Sequence, residues 1–196
     1  MSPNPCTMQG RPTTGAEIGL LEMKHADELF ALIDRNREHL RRWMPWLDET
    51  RTAEDSRAFV RRSLEQFARH EGLVEGIWHD GRLAGVVSFV RIDWNNRSAV
   101  LGYWIGREYE GKGLATSACR AMIDHGFGEM ALNRIEIKAA VDNPRSIAVA
   151  GRLGFTREGV ERQAAWLYDR FVDMAVFSLL RGEWRPRAPP SGARAR

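Results

Sequence analysis

Apolar residues recur along the chain at two spacings, one typical of helices and one typical of strands. Positions three and four apart predict helices over 26–42, 53–69 and 113–128, and a shorter helix that begins at Pro144. Alternating or continuous apolar runs predict seven strands, over 17–23, 73–78, 82–92, 100–105, 134–141, 155–165 and 173–180. This order predicts an α/β protein whose mixed sheet carries helices on both faces.

Turn residues connect these elements and set their directions. Asp80-Gly81 is typical of a two-residue β-hairpin, and residues 93–97 form a second turn, so three strands run antiparallel into a glycine-rich loop. Farther along, Asn143 suits the N-cap of the short helix and Pro144 its first position. The middle of the chain therefore has the order strand, glycine loop, helix.

The glycine loop is the strongest candidate for chemistry in the sequence. Gly111 and Gly113 let the backbone approach a ligand closely, and the following helix brings unpaired N–H groups and a positive dipole end to the same point. These features predict an anion site, with phosphate as the natural occupant.

Two common phosphate motifs do not fit this loop. A nucleotide-triphosphatase loop needs Ser or Thr after its lysine, but Gly113 follows Lys112. A dinucleotide fingerprint needs a third glycine where Thr116 stands, and its strand does not normally follow a hairpin. The first interpretation is excluded and the second is weak.

Charge and composition narrow the class of partner. The net charge of +3 comes from four arginines after residue 184 (Arg185, Arg187, Arg194 and Arg196), so the body is near neutral and we expect no nucleic-acid partner. Cys6 and Cys119 lack the spacing of a disulfide framework or zinc site, and no metal is expected. With 43% hydrophobic residues in 196, the chain suits one folded domain.

The two ends have a different composition from the body. Residues 1–15 and 185–196 are rich in Pro, Gly, Ser and Arg, and we expect both to be disordered, leaving one domain over 16–184. No apolar run approaches the roughly 18 residues of a membrane span or forms a signal peptide. The expected location is the cytoplasm, without membrane attachment.

Two motifs resemble the GNAT superfamily of acyl-CoA-dependent N-acetyltransferases. Residues 110–115, Glu-Gly-Lys-Gly-Leu-Ala, resemble its pyrophosphate loop, with Glu110 in place of the usual Gln or Arg. Asn143-x-x-Ser146, followed by Arg152-x-Gly-Phe, is similar to a signature of the branch containing the ribosomal-protein alanine and serine N-terminal acetyltransferases. The segments Trp43-Met-Pro-Trp46, Gly102-Tyr-Trp104 and Glu158-Gly159 also resemble that branch.

The resemblance spans roughly residues 16–182 and implies a fold. It implies a single GNAT-like N-acetyltransferase domain with a mixed, mostly antiparallel, splayed sheet of about seven strands and about four helices on both faces. It also implies acetyl-CoA as the acetyl donor, with pantetheine lying where the strands ending at Ile105 and Val141 separate.

Cofactor contacts follow from the same resemblance. Trp104 and Ile105 would offer a backbone edge to pantetheine, and the Ile105 N–H would be the oxyanion donor, unless it is an ordinary ladder N–H. Asn143 would contact the pantetheine arm besides capping its helix, and Arg152 would reach the phosphates, unless it is a surface arginine. The pyrophosphate would lie on the loop, formed by Gly111, Lys112, Gly113, Leu114, Ala115 and Thr116.

The implied reaction is direct attack of an amine on the thioester. Ser146 would protonate the departing thiolate, its alternative being a local hydrogen bond. Cys119 has no base partner, which disfavours a thiol nucleophile. At neutral pH, deprotonating a lysine of pKa ~10.4 costs about 4 kcal/mol and an α-amine of pKa ~7.8 about 1 kcal/mol, which favours a protein N-terminus or another weakly basic amine.

The acceptor side is less clearly marked in the sequence. Trp43, Trp46 and Tyr168 would line an acceptor cleft, although the tryptophans also suit a loop packed over the core. The activating glutamate of the serine-specific branch aligns with Ala165. Substitutes for that glutamate are Glu161, Tyr168, Asp169 and His39. A protein N-terminus, an antibiotic and a polyamine all remain open as acceptors, as do a monomer, a homodimer and a non-catalytic acyl-CoA-binding sensor.

Overall fold

The computed structural model describes residues 11–13 and 15–186, with backbone only for 11–13. The helices are α1 (Ala26–Arg35), α2 (Arg37–Arg41), α3 (Ala53–Ala68), α4 (Leu114–Gly128) and α5 (Pro144–Arg152). The strands are β1 (Arg11–Thr13), β2 (Ala16–Leu20), β3 (Leu73–His79), β4 (Arg82–Asp93), β5 (Ser98–Ile105), β6 (Arg134–Ala140), β7 (Thr156–Leu167) and β8 (Arg170–Leu180). Single 3-10 turns lie at Met23–His25, Pro45–Asp48 and Arg107–Tyr109.

The strands form one mixed sheet in the order β1-β2-β3-β4-β5-β6-β8-β7. β5 and β6 are parallel, and the other neighbours are antiparallel. The predicted α/β class and mostly antiparallel sheet are confirmed. The eighth strand is the three-residue β1, which pairs with β2 inside the segment 1–15 that we expected to be disordered.

The sheet splays between its two parallel strands. β5 and β6 pair only from Ser98 opposite Arg134 to Val100 opposite Glu136, and β6 then continues beside β8 alone. The distal part of β5, from Leu101 to Ile105, keeps β4 on one side and has no strand partner on the other among the described residues. We call this opening the β5–β6 gap.

Helices pack on both faces of the sheet. One core cluster lies under α4 and α5 and includes Phe89, Met122 and Phe177. The other lies under α1 and α3 and includes Leu32, Val60 and Leu83. β6 and β8 bury one face in the core under α4 and α5, whereas β7 is exposed from Thr156 to Ala164. The opposite face of these three strands carries polar residues with partners at the surface.

The predicted helix over 26–42 is two helices, because it breaks at Asn36. This buried side chain donates to the Leu32 carbonyl (3.0 Å) and accepts from the Arg107 N–H (2.8 Å). Because this buried amide forms hydrogen bonds both within α1 and to the turn before the glycine loop, it fixes the position of the break relative to that turn. There are consequently five α-helices in the described residues instead of about four.

The predicted boundary of the domain at residue 184 remains a prediction. Trp184 is buried, and its indole N–H donates to Asp124 of α4 (2.7 Å). Most of both predicted disordered ends, 1–10, 14 and 187–196, lies outside the described residues. Within the described part of the chain, no helix is both long and apolar enough to cross a membrane.

Candidate active site

The glycine loop enters α4 through two left-handed residues. Gly111 has φ 77° and Gly113, the N-cap of α4, has φ 76°, a region that side chains with a Cβ avoid. The first helical bond runs from the Ser117 N–H to the Gly113 carbonyl. Within the described residues, the N–H groups of Leu114, Ala115 and Thr116 have no hydrogen-bond acceptor, as expected for a first helical turn. These donors fit the pyrophosphate of a CoA-type cofactor.

Glu110 carries a negative charge at the edge of this loop, and two basic side chains contact it. Its carboxylate accepts a hydrogen bond from the Arg145 guanidinium and lies 3.4 Å from the His39 Nε2. Arg145 stands in the first turn of α5, so the two motifs meet at this point. The sequence alone did not single out Arg145.

The β5 edge presents backbone groups to the β5–β6 gap. Trp104 lies opposite Val86, and the Gly106 N–H donates to the Ala84 carbonyl (2.9 Å). Because bonded and non-bonded positions alternate in an antiparallel pair, the N–H and carbonyl of Ile105 point away from β4 and toward the gap. The irregularity between β4 and β5 lies at Phe89/Arg91, so no bulge at Ile105 is needed.

Ser146 lies across the gap beside Tyr103. The two hydroxyl oxygens are 2.8 Å apart, and the Tyr103 hydroxyl donates to the Ser146 carbonyl (3.0 Å). Since a tyrosine has one hydroxyl proton, the Ser146 hydroxyl donates to Tyr103 in this arrangement. Burial raises the pKa of Tyr103, which keeps it protonated. Tyr103 was part of a motif in the sequence, but its contact with Ser146 was not predicted.

Asn143 fixes the start of α5 and thereby the position of Ser146. Its side-chain oxygen accepts from the Ser146 N–H (3.2 Å), which confirms the predicted N-cap, and Pro144 occupies the first turn. The amide nitrogen of Asn143 has no acceptor among the described residues. It is therefore available to a ligand in the gap.

Two residues from the sequence analysis lie apart from this arrangement. Arg152 is exposed in the last turn of α5, at the other end from Arg145, and forms no hydrogen bond or ion pair with any described residue. Cys119 is fully buried in α4, and burial raises the pKa of its thiol. A buried neutral thiol does not suit a nucleophile.

A cleft of about 490 Å³ lies between α2 and the tip of the β7–β8 hairpin. Trp43 and Tyr168 line it, together with Glu38, Arg41, Arg42, Leu167, Asp169 and Arg170. The Tyr168 hydroxyl donates to the Met44 carbonyl (2.6 Å), and the Arg41 guanidinium lies 3.7 Å above the Tyr168 ring. Arg41 in turn binds both carboxylate oxygens of Asp48, at 2.8 and 2.9 Å.

Trp46 lies beside this cleft and does not line it. Its ring centroid is 6.1 Å from that of Trp104, the β5 residue that faces α1 and α3. The three predicted acceptor residues therefore occupy one side of the sheet. Trp43 and Tyr168 share the cleft, while Trp46 lies nearer to the β5–β6 gap.

The suggested substitutes for the missing glutamate have different surroundings. His39 faces Glu110, and Asp169 is exposed at the hairpin tip. The Tyr168 hydroxyl donates its hydrogen bond to the Met44 carbonyl, and burial raises the pKa of this hydroxyl. Glu161 accepts a hydrogen bond from the Lys138 ammonium (2.6 Å). Among residues 15–186, no three His, Cys, Asp or Glu side chains lie together in a group that could hold a metal ion.

Comparison with known proteins assigns the family. Residues 18–156 match the family described as Acetyltransferase (GNAT) domain, and the chain belongs to this family. It is therefore an acetyl-CoA-dependent N-acetyltransferase.

Named relatives cover most of the chain. It is 39% identical over 168 residues to the putative ribosomal N-acetyltransferase YdaF of Bacillus subtilis, covering 85% of this chain and 92% of the relative. It is 33% identical to the ribosomal-protein-serine acetyltransferase of Escherichia coli, covering 83% and 90%. The microcin C7 self-immunity acetyltransferase MccE, solved with acetyl-CoA and AMP, has a TM-score of 0.81 at 34% identity, covering 85% and 92%.

Proposed function

We propose that this enzyme acetylates the α-amine of a protein or peptide N-terminus by direct attack on acetyl-CoA. The observation that carries the proposal is the arrangement at the β5–β6 gap. The free backbone edge of β5, the unpaired N–H groups at the start of α4, and Ser146, whose N–H is bound by the Asn143 cap, lie around this gap. An aromatic cleft lies on the other face of the sheet.

Residues on the α4–α5 face would stabilise the reacting thioester and protonate the leaving thiolate. When bound, acetyl-CoA supplies an acetyl group activated as a thioester. The Ile105 N–H would donate to the oxygen that becomes negative during attack. Ser146 would give its proton to the departing sulfur, and the Tyr103 hydroxyl, held protonated by burial, would stay beside the Ser146 oxygen until a proton leaving the amine returns to it. Asn143 would orient the pantetheine arm with its free amide nitrogen.

The charge of the cleft favours a peptide over a polyamine. Three arginines and two carboxylates line it, and Arg41 is paired with Asp48, so the lining has no excess of negative charge that would attract a polycation. An α-amine also costs about 3 kcal/mol less to deprotonate at neutral pH than a lysine side chain. The name of the Escherichia coli relative, a ribosomal-protein-serine acetyltransferase, supports the same class of acceptor. We place the reaction in the cytoplasm, where acetyl-CoA and new protein N-termini occur together.

Initial rates of CoA release with a matched set of acceptors test this proposal. We expect turnover with a peptide that has a free N-terminus, none with the same peptide blocked at its N-terminus, and slower turnover with spermidine. A preference for spermidine would contradict the acceptor class. Acetyl-CoA binding without turnover of any amine would instead support the non-catalytic sensor.

A further inference from the structure

We propose that Glu161 receives the ammonium group of the acceptor and takes its proton, with Lys138 as its partner in the free enzyme. The proposal rests on the acetyl transfer proposed above and adds a base that the sequence left unassigned. It follows from the register of the β7–β8 hairpin, the face on which Glu161 lies, and the hydrogen bonds that neighbouring carboxylates already form.

A three-residue bulge brings Glu161 close to Ala165. Glu161 pairs with Met174 and Ala165 with Val172, so residues 162–164 have no partners on β8. Met174 and Val172 are two positions apart, which separates Glu161 and Ala165 by roughly 7 Å along the strand direction and puts them on one face. The Gln163 N–H donates to the Asp173 carboxylate (2.8 Å) and holds the bulge.

The Lys138 contact links the Glu161 carboxylate to β6, the strand that borders the β5–β6 gap. The last paired residue of β6 on the β5 side is Glu136, and Lys138 lies two positions farther along the edge of the gap. Its ammonium donates to Glu161 at 2.6 Å across the intervening β8. The Glu161 side chain is 44% exposed, so an acceptor arriving from solvent can reach it.

The face of the sheet separates the proposed base from the proposed acid. Ile137 and Tyr103 pack in the core under α4 and α5, where Ser146 also lies, so Lys138 projects from the opposite face. Glu161 shares that opposite face, as do Trp46 and Trp104. An amine would therefore approach the gap from one face, while the sulfur would be protonated from the other.

The other carboxylates near Glu161 already accept hydrogen bonds that hold the fold. Glu158 accepts from the Arg134 guanidinium and from the Ser178 hydroxyl (2.7 Å). Asp173 holds the Gln163 N–H on the bulge. Within the described part of the chain Glu161 has one partner, and that partner is itself an ammonium, the group that an amine acceptor would replace.

Proton and electron transfers balance with these residues. The acceptor ammonium gives one proton to Glu161, which releases it to solvent. The free amine then forms the C–N bond, and the C–S bond breaks with its electron pair remaining on sulfur. Ser146 protonates the sulfur, and the second proton leaving the nitrogen returns to the Ser146–Tyr103 pair.

The main test compares Glu161→Gln with Lys138→Met. We expect Glu161→Gln to lower kcat/KM for a peptide about 100-fold, the usual size of a general-base effect. Lys138→Met removes only a surface ion pair and should change kcat/KM by less than about 5-fold. If the ion pair merely supports the fold, both variants should fall equally, and that result would overturn the proposal.

The pH profile gives a second readout that a structural role would not move. Above the pKa of an α-amine, ~7.8, the acceptor needs no base, so the defect of Glu161→Gln should shrink as pH rises. Glu65→Gln, on the exposed side of α3, and Asp142→Asn, beyond the end of β6, serve as matched controls and should retain the wild-type profile. A defect that is constant with pH would contradict a role in proton removal.

Moving the carboxylate provides a gain-of-function test. Ala165→Glu in the Glu161→Gln background places a carboxylate two register positions away on the same face, and we expect kcat/KM to recover at least about 10-fold. Failure to recover would contradict amine activation from this face. Acetyl-CoA binding should be unchanged in every variant, and a wild-type enzyme inactive with all amines would refute the proposed function instead.

Discussion

The proposed cofactor side and the proposed acceptor side of this enzyme are built by different means. The cofactor side uses backbone: the N–H groups of the glycine loop, the edge of β5 and the capped start of α5. The acceptor side uses side chains from segments far apart in the chain, as when Tyr168 bonds the Met44 carbonyl 124 positions away. Changes on the two sides should therefore affect different kinetic constants.

The largest expected effect is on the cofactor side, at Gly113. Gly113→Trp places a large side chain on a left-handed residue at the loop and should abolish acetyl-CoA binding. For wild type, acetyl-CoA at 100 times its Kd should add about 2.7 kcal/mol to the free energy of unfolding, and the variant should show no such gain.

A matched control distinguishes loss of the cofactor loop from a general destabilisation by an added tryptophan. Gly182→Trp puts the same side chain in the turn after β8, where φ is not positive and no atom lies within 4 Å of the added Cβ. It should keep the stabilisation by acetyl-CoA. Normal stabilisation of Gly113→Trp would exclude this loop as the cofactor site.

The next effect separates chemistry from binding on the cofactor side. Ser146→Ala should lower kcat about 100-fold, because it removes the proposed acid, while leaving acetyl-CoA binding intact. Tyr103→Phe should lower kcat about 10-fold by removing the hydroxyl that supports Ser146. Steady-state rates and a binding titration on the same samples check both, with Tyr109→Phe as control. Full activity of Ser146→Ala would show that its hydroxyl is not the acid.

A smaller effect is expected on the acceptor side. Tyr168→Phe removes the hydrogen bond that fastens the hairpin tip to the Met44 carbonyl, which is worth about 1 kcal/mol, so the acceptor KM should rise about 5-fold. The KM for acetyl-CoA should not change. Equal changes in both constants, measured by varying each substrate in turn, would contradict the separation of the two sides.

The smallest effect concerns stability in acid. Hydrogen bonds from Arg134 and Ser178 lower the pKa of Glu158 from 4.5 to about 2. Because the folded-state pKa is depressed, this carboxylate stabilises the fold above pH 4.5, and its contribution disappears as pH falls toward 2. Urea unfolding of wild type and Glu158→Gln should differ modestly at pH 7 and converge near pH 2. A constant difference would exclude this explanation.

The same contrast explains what could be predicted from the sequence. The glycine loop, the Asn143–Pro144 start of α5 and the Asp80-Gly81 hairpin are local signals, because neighbouring residues alone determine their geometry. The break at Asn36 depends on Arg107, 71 positions away, and the Tyr103–Ser146 contact spans 43 positions. Such contacts have no local pattern.

The two sides of the active site differ in the same respect. Most of the residues predicted to contact the cofactor lie around the β5–β6 gap because their motifs fix the backbone. Arg145 was missed because its contact with Glu110 joins two motifs. The sequence offers Glu161 only as one of several alternatives, because the bulge on β7 and the Lys138 contact that support the proposal have no local pattern.

The most direct test of the central claim is the position of the acetyl group on a peptide that has a free N-terminus and an internal lysine. After reaction with acetyl-CoA at pH 7, fragmentation mass spectrometry locates the modification. Acetyl transfer to an α-amine predicts a product modified at the N-terminus, with the lysine unchanged. Modification of the lysine alone, or none while acetyl-CoA still binds, would contradict it.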